Sequence, residues 1–218
     1  MEAAQRTVSV TAGLVKKDLD KTKIVLNGAG AAGTAIARLL VLAGARNIIG
    51  FDSSGVINKK SASNSAMRKW FIENCNPEQF EGNLSQAMSG ADIFIGVSAP
   101  NLLSEADIQS MAKGSIVFAL ANPDPEIDPV LARKHAAVVA TGRSDQPNQI
   151  NNVLAFPGIF RGLLDAGASK ITDELLVACA EAIASCVSES QLNASFIVPS
   201  VFDTNVVKSV ADAVKRFT

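Results

Sequence analysis

Short apolar runs alternate with longer mixed stretches along most of this chain. Lys23-Ile24-Val25-Leu26-Asn27 is a brief apolar run with β-branched residues that ends abruptly at glycine, so it predicts a first strand. The alanine-rich run Ala31 to Ala43 predicts a helix that stops near Gly44, a residue suited to the position after a helix end. Asn47 to Phe51 predicts a second strand ending at Asp52, followed by a turn at Ser53-Ser54-Gly55. Residues 58–64 read as a polar loop, and Ser65 to Asn74 as a helix. Leu84 to Met88 is a short helical turn before a third strand, Ala91 to Val97. Pro100 breaks the chain, and Glu105 to Ala112 predicts a helix with Ser104 as its N-cap. Ser115 to Leu120 is a fourth strand. Pro123 and Pro125 forbid helix continuation in the loop that follows. A helix near Pro129 to Lys134 leads to a fifth strand, Ala137 to Ala140.

Strands alternating with helices predict an α/β fold: a doubly wound, mostly parallel sheet with helices on both faces. After Thr141 the pattern changes. A polar loop over residues 142–149 precedes helices at Ile159 to Ala166, Asp173 to Ser188 (with Thr172 at its N-cap) and Thr204 to Phe217. Before the first strand, Val8 to Leu14 reads as a helix end and Lys16 to Lys21 as a charged connector. The expected organisation is a connector over 1–22 and a nucleotide-binding domain over 23–218 that carries a C-terminal helical extension.

Composition narrows the function classes. Twenty basic and 21 acidic residues leave a net charge of −1, which gives no electrostatic reason to expect nucleic acid or a membrane surface. Charged residues make up only 19% of the chain, which suits a sheet covered on both faces or a surface hidden against something else. The three cysteines include no C-x-x-C pair, so a disulfide framework or zinc site is not expected and a reducing compartment is. MEAAQRTVSV lacks the apolar core of a signal peptide, and no uninterrupted apolar stretch reaches the ~18 residues of a membrane span. A soluble, cytoplasmic protein is expected.

The candidate chemistry begins where the first strand ends. Gly28, Gly30 and Gly33 stand in the spacing G-x-G-x-x-G, with Ala29, Ala31 and Ala32 between them. In a dinucleotide site Gly28 makes the tight turn, Gly30 lets a pyrophosphate approach the backbone, and Gly33 lets the helix pack on the strand. The amides at the helix start then face the anion. A plain glycine turn is the competing reading, but the preceding strand, the following helix and the acid beyond agree with the first. Asp52 lies 19 residues after Gly33, at the carboxyl end of the second strand. A carboxylate there accepts both ribose hydroxyls of an adenosine and repels a 2′-phosphate. Ser53 and Ser54 bring no guanidinium to hold that phosphate, so NAD is favoured over NADP, with Lys59 and Lys60 as possible suppliers of the missing charge. The bland reading of Asp52 is a turn former.

Two more strand ends share this rim. Ser98 and Ala99 follow the third strand and Asn122 the fourth, and ligands of open α/β sheets bind outside the carboxyl ends of strands. Asn122 both donates and accepts, which suits a nicotinamide ribose or a hydroxy-acid substrate; a turn residue before proline is equally open. Asn148, Gln149, Asn151 and Asn152 put four amides in five positions. Hydrogen bonds to a bound polar ligand explain them, and so does capping of a buried helix start. His135 reads as a helix-end residue rather than a base, the cysteines as small core residues, and Arg143 with Asp145 as a loop pair.

These stretches carry a resemblance. KIVLNGAGAAGTAIARLL, GFDSSGVI, GADIFIGVSAP, IVFALANPDPEI and above all ATGRSDQPNQINNVLAFPGIFRG resemble the nicotinamide-binding, Rossmann-type domain of the malic enzymes in their short bacterial form. The likeness covers most of residues 23–166 and continues more loosely to IVPSVFD. It implies that Gly28 to Gly33 and Asp52 bind the cofactor, beside Ser98, Ala99 and Asn122 at the strand ends, and that Asn122, Asn151 and Asn152 touch malate or the nicotinamide ribose. It also implies oxidation of (S)-malate with hydride transfer to NAD(P), decarboxylation to pyruvate and CO₂, and a divalent Mg²⁺ or Mn²⁺ acting as a Lewis acid.

The family's lysine base, tyrosine acid and acidic metal ligands lie mostly in a substrate domain before the glycine motif. This chain has no tyrosine, and about 22 residues precede its first strand. TVSVTAGL resembles the family helix that follows the metal-binding acids, and Glu2 falls near one of them. The expectation is therefore a cofactor half that binds NAD, holds no catalytic or metal-ligating residue of its own, and associates with its missing N-terminal half in a homo-oligomer. A non-catalytic NAD-binding module is the rival reading from another class, and a malolactic relative the rival within the family.

Overall fold

The computed structural model describes residue 15, residues 17–62 and residues 65–217. The expected helix end at Val8 to Leu14, the stretch TVSVTAGL and Glu2 lie outside the described residues, as do positions 63 and 64 of the polar loop. Six strands form one sheet: β1 (Lys23–Asn27), β2 (Asn47–Asp52), β3 (Gly55–Val56), β4 (Ile93–Gly96), β5 (Ile116–Ala119) and β6 (Val138–Thr141). Their order is β3-β2-β1-β4-β5-β6, and every neighbouring pair is parallel except β2 and β3. The doubly wound sheet is present as the patterning predicts. β3 is the strand that patterning missed. It folds straight back on β2 through a turn with Gly55 at φ +109°, and two residues are too few to show alternation.

Successive side chains of a strand point to opposite faces, and here both faces are apolar. Ile24, Leu26, Ile93, Ile95, Ile116 and Phe118 build one core, while Val25, Phe94, Val117 and Val139 build the other. Burial on both sides is why these strands read as continuous apolar runs. Eight helices follow from the described residues: α1 (Ala31–Leu42), α2 (Ala66–Asn74), α3 (Leu84–Met88), α4 (Glu105–Gln109), α5 (Pro129–Ala132), α6 (Phe156–Ala166), α7 (Asp173–Ser185) and α8 (Thr204–Arg216). The longer ones supply the first core and α3 to α5 the second.

Helices as short as α3 and α4 gain little from propagation, so their ends decide them. Asn83 with Gln86, and Ser104 with Asp107, form complete capping boxes, and Asp128 caps α5 ahead of Pro129. Some boundaries differ from expectation. α4 ends at Gln109 rather than Ala112, because the Ala112 amide turns to the Ala91 carbonyl (2.9 Å) beside β4. α5 closes at Ala132, not Lys134. α7 closes at Ser185, and the Ser188 hydroxyl bonds Gln191 (2.8 Å) instead. α6 starts at Phe156 rather than Ile159, with Pro157 in its first turn. Among the described residues no helix is long and apolar enough to cross a membrane. None of Cys75, Cys179 and Cys186 forms a disulfide, and burial pushes the Cys75 thiol up to about 12. Cys179 is buried as expected, but Cys186 sits half-buried at the end of α7.

The C-terminal helices meet at glycine. A Cβ at Gly162 would lie 2.5 Å from Val214 Cβ and 2.8 Å from the Ala211 carbonyl oxygen, so α6 and α8 touch backbone to backbone there. Replacing Gly162 by alanine gains about 1 kcal/mol of helix propensity, whereas overpacking a rigid contact costs about 1–3 kcal/mol. The expected net effect is a lower urea midpoint for Gly162→Ala; an unchanged or higher midpoint would show that the contact is soft.

Candidate functional site

The strand order reverses between β1 and β4, and the carboxyl ends of those strands open the rim where such sheets bind ligands. Gly28 turns sharply there at φ +115°, and a Cβ would stand 2.8 Å from the Val97 carbonyl oxygen. The amides of Gly28 and Ala29 both donate to the Phe51 carbonyl (2.9 and 3.0 Å), tying the turn to β2. A Cβ at Gly33 would lie 2.1 Å from the Gly28 carbonyl oxygen, so α1 rests directly on the turn. Gly30 differs from both: a Cβ added to it meets nothing within 4 Å. Its openness suits a group approaching from outside, and α1 has no acidic residue in its first turn to offset the positive end of its dipole. These features fit the pyrophosphate of a dinucleotide. Ala31 and Ala32 lie exposed on that first turn.

Gly28, Asp52, Ser98 and Ala99 come together on one slot of about 440 Å³, with Phe51, Leu84 and Leu102 giving it apolar walls. Ala29 and Asp52 also line a second hollow of about 350 Å³ beside Arg68. The Asp52 carboxylate accepts from the Ser54 amide (2.8 Å) and from Arg68 Nη1. Sequence reasoning saw no guanidinium at this position. It looked to the adjacent Ser53 and Ser54 and to the lysines, whereas Arg68 arrives on α2, 16 residues further on. Of the two lysines, Lys60 pairs with Glu81 (2.5 Å).

The third group of candidates shares a larger cleft. Asn122, Asn151 and Asn152 line one space of about 550 Å³ at the ends of β5 and β6, together with Gly142, Arg143, Asp145 and Gln149. Asn151 also caps the 3₁₀ turn Asn152–Leu154 by accepting from the Val153 amide (3.0 Å). Arg143 and Asp145 form the expected loop pair, a two-pronged contact of 2.9 and 2.8 Å that holds the Asp145 carboxyl well below the usual range. They do so on the cleft wall, which their spacing did not reveal. Asn148 turns away from the cleft: buried at φ +59°, it donates to the carbonyls of Val139 (3.0 Å) and Ala194 (2.8 Å) and accepts from the Ile197 amide (3.0 Å). The four amides thus divide, one holding the scaffold and three facing the cleft. His135 bonds Glu105 (3.0 Å) on the surface, as a helix-end residue.

The residue that sequence reasoning missed is Glu126. Its side chain is 0% exposed. It accepts from the amides of Ser98 (3.2 Å) and Ala121 (3.1 Å), and burial raises its carboxyl above the ordinary value against the pull of those amides. The signal was an acid just after two prolines, with nothing local for it to pair with. Among the described residues no group of three or more His, Cys, Asp or Glu side chains is placed to hold a metal ion.

The family described as malic enzyme, NAD binding domain matches residues 4–218. The chain is 51% identical over 201 residues to the NAD-dependent malic enzyme of Geobacillus stearothermophilus, covering 92% of this chain and 42% of that one. It is 46% identical over 217 residues to the bifunctional malic/malolactic enzyme of Bacillus subtilis, covering 96% and 53%. NADP-dependent malic enzymes are matched as well. The crystal structure of the NAD-dependent malic enzyme from Thermotoga maritima superposes with a TM-score of 0.92 at 40% identity, over 98% of this chain and 56% of that one. The chain therefore spans about half the length, or less, of the curated relatives it matches.

Asn148 gives this subsection its prediction. Truncation in Asn148→Ala strands the buried Val139 carbonyl and Ile197 amide, and each unsatisfied group costs about 1–3 kcal/mol, while the Ala194 carbonyl lies nearer the surface. The expected result is a clear drop in thermal midpoint. A variant with an unchanged midpoint and a weakened ligand would move Asn148 into the cleft's binding set.

Proposed function

The chain belongs to the malic enzyme family, whose NAD-binding domain it matches over nearly its whole length, and from that premise we propose that it holds NAD across the β1–β4 switch point and turns an amide wall towards malate. The observation that carries this reading is the meeting of Asn122, Asn151 and Asn152 on one cleft, on the same rim as the slot lined by Gly28, Asp52 and Ser98. Bound NAD supplies a hydride acceptor for C2 of (S)-malate. The chain's own residues bind and orient. The amides at the start of α1 take the pyrophosphate, and Asp52 takes the adenosine ribose. Asn122, Asn151 and Asn152 hydrogen-bond the nicotinamide ribose or the substrate.

The proton-transfer and metal steps of the family are not assigned to this chain. It contains no tyrosine, and its described residues offer no cluster for Mg²⁺ or Mn²⁺. We place those steps in the substrate half of the whole protein. The stripe Val153, Phe156, Phe160 and Leu164, exposed along α6 and the 3₁₀ turn before it, is where that half or a second copy would cover apolar surface. Cytoplasmic work fits three cysteines without a disulfide. A malolactic outcome is the second reading, favoured by the likeness to the bifunctional Bacillus subtilis enzyme; lactate rather than pyruvate as the product of the whole protein would establish it.

NAD is the preferred cofactor in this reading, because Asp52 accepts ribose hydroxyls and repels a 2′-phosphate. Arg68 narrows the margin by placing a cation against the same carboxylate. Asp52→Ala should weaken NAD by about tenfold, the loss of a charged hydrogen-bond acceptor. It should also improve NADP relative to NAD by releasing Arg68. Calorimetric titration reads both, and unchanged NAD affinity would remove Asp52 from the site. Purified chain given malate, Mn²⁺ and NAD should bind the cofactor and form no NADH; measurable turnover would overturn the division between halves. Sedimentation should show self-association through the α6 stripe, and a strictly monomeric chain would count against it.

A further inference from the structure

Glu126 lies between the two clefts and faces neither. Its carboxylate reaches beneath the ends of β4 and β5, with Oε1 on the Ser98 amide (3.2 Å) and Oε2 on the Ala121 amide (3.1 Å). Its own carbonyl accepts from the Leu103 amide (2.9 Å), which fixes the loop that delivers it. Gly96 makes room for it: a Cβ there would stand 2.2 Å from Glu126 Cδ. The carboxylate is met by the main-chain amides of Ala121 and Ser98, and among the described residues no ion pair reaches it.

Burying a carboxylate without a cation is costly, and an apolar side chain would fill the same space without that cost. What an apolar side chain lacks is two acceptors for two amides on different loops. Those loops are the ones that carry candidate site residues. Ser98 lines the slot with Gly28 and Asp52, and its hydroxyl accepts from Asn27 Nδ2 (2.8 Å) at the end of β1. Ala121 is followed directly by Asn122 on the amide cleft. A single chain of contacts therefore runs from β1 through Ser98 and Glu126 to Asn122.

We propose that Glu126 is a positioning residue that ties the Ser98 loop to the Ala121–Asn122 loop and so sets the spacing between the cofactor slot and the amide cleft. The proposal rests on the reading above that a dinucleotide spans both. Hydride transfer depends on such spacing, since small misplacements of reacting groups are costly in rate. Glu126 itself touches neither cofactor nor substrate.

The test compares NADH, which reaches both the slot and the amide cleft, with ADP, which reaches the slot of Gly28, Asp52 and Ser98 but not the Asn122 loop. Wild-type chain, Glu126→Ala and Glu126→Gln are titrated with each. For Glu126→Ala, NADH should weaken by about tenfold while ADP changes by less than about twofold, because only NADH spans the two loops whose spacing Glu126 sets. Glu126→Gln keeps one acceptor oxygen and should recover part of the loss. If Glu126→Ala does not fold, Glu126→Gln and Gly96→Ala, which displaces the carboxylate without removing it, should show the same split. Equal weakening of both ligands, or of neither, would overturn the proposal. Wild-type chain that binds neither ligand would instead end the cofactor-site reading, and this inference with it.

Discussion

Everything at the ligand rim depends on how closely α1 lies against the turn that precedes it. With a Cβ at Gly33 falling 2.1 Å from the Gly28 carbonyl oxygen, no other residue permits that approach. The contact sets where the first amides of the helix point, and the paired bonds from Gly28 and Ala29 to Phe51 set where β2 ends. Asp52 follows Phe51 directly. The pyrophosphate end and the ribose end of the proposed cofactor site are thus fixed by one steric condition. Gly30, with nothing within 4 Å of a Cβ, is the one glycine of the three left for contact from outside.

The far side of the rim is organised by hydrogen bonds instead of close packing. β4 and β5 end in loops, and loops lack the ladder that holds strands together. Leu120 bonds the Gly96 carbonyl (3.0 Å), and beyond that point a buried carboxylate takes over from the ladder. Asn148 does the same further along, gathering β6 and the 194–197 segment through three bonds. Polar side chains inside this fold hold main chain in place, and those on its rim are the ones proposed to meet ligands.

That division explains what could be read in advance. Strands buried on both faces are near-continuous apolar runs, so β1, β2 and β4 to β6 were visible, and glycine spacing located the turn. Caps such as Ser104 and Thr172 marked helix starts, while helix ends depended on where the chain had to return to the sheet. Asn148 and Asn152 look alike in sequence, and only tertiary partners tell a clamp from a cleft wall. Arg68 and Glu126 were out of reach for a related reason. Each acts on a residue brought near by the fold, Asp52 for Arg68 and Ser98 for Glu126, and neither has a charged partner nearby in sequence to betray it.

Arg68 also changes the electrostatic argument about the cofactor. A carboxylate offers about four lone-pair sites. Ser54 and Arg68 each take one on Asp52, which leaves room for two ribose hydroxyls and no more. The guanidinium meanwhile offsets the negative charge that would otherwise repel a 2′-phosphate. Preference for NAD at this rim therefore cannot rest on charge repulsion alone. In the proposed reading it rests on the two remaining acceptor sites being filled by hydroxyls that donate, which a phosphate oxygen does not do. A cofactor choice built on donors and acceptors is less sensitive to salt than one built on net charge, since Debye screening weakens the second far more than the first.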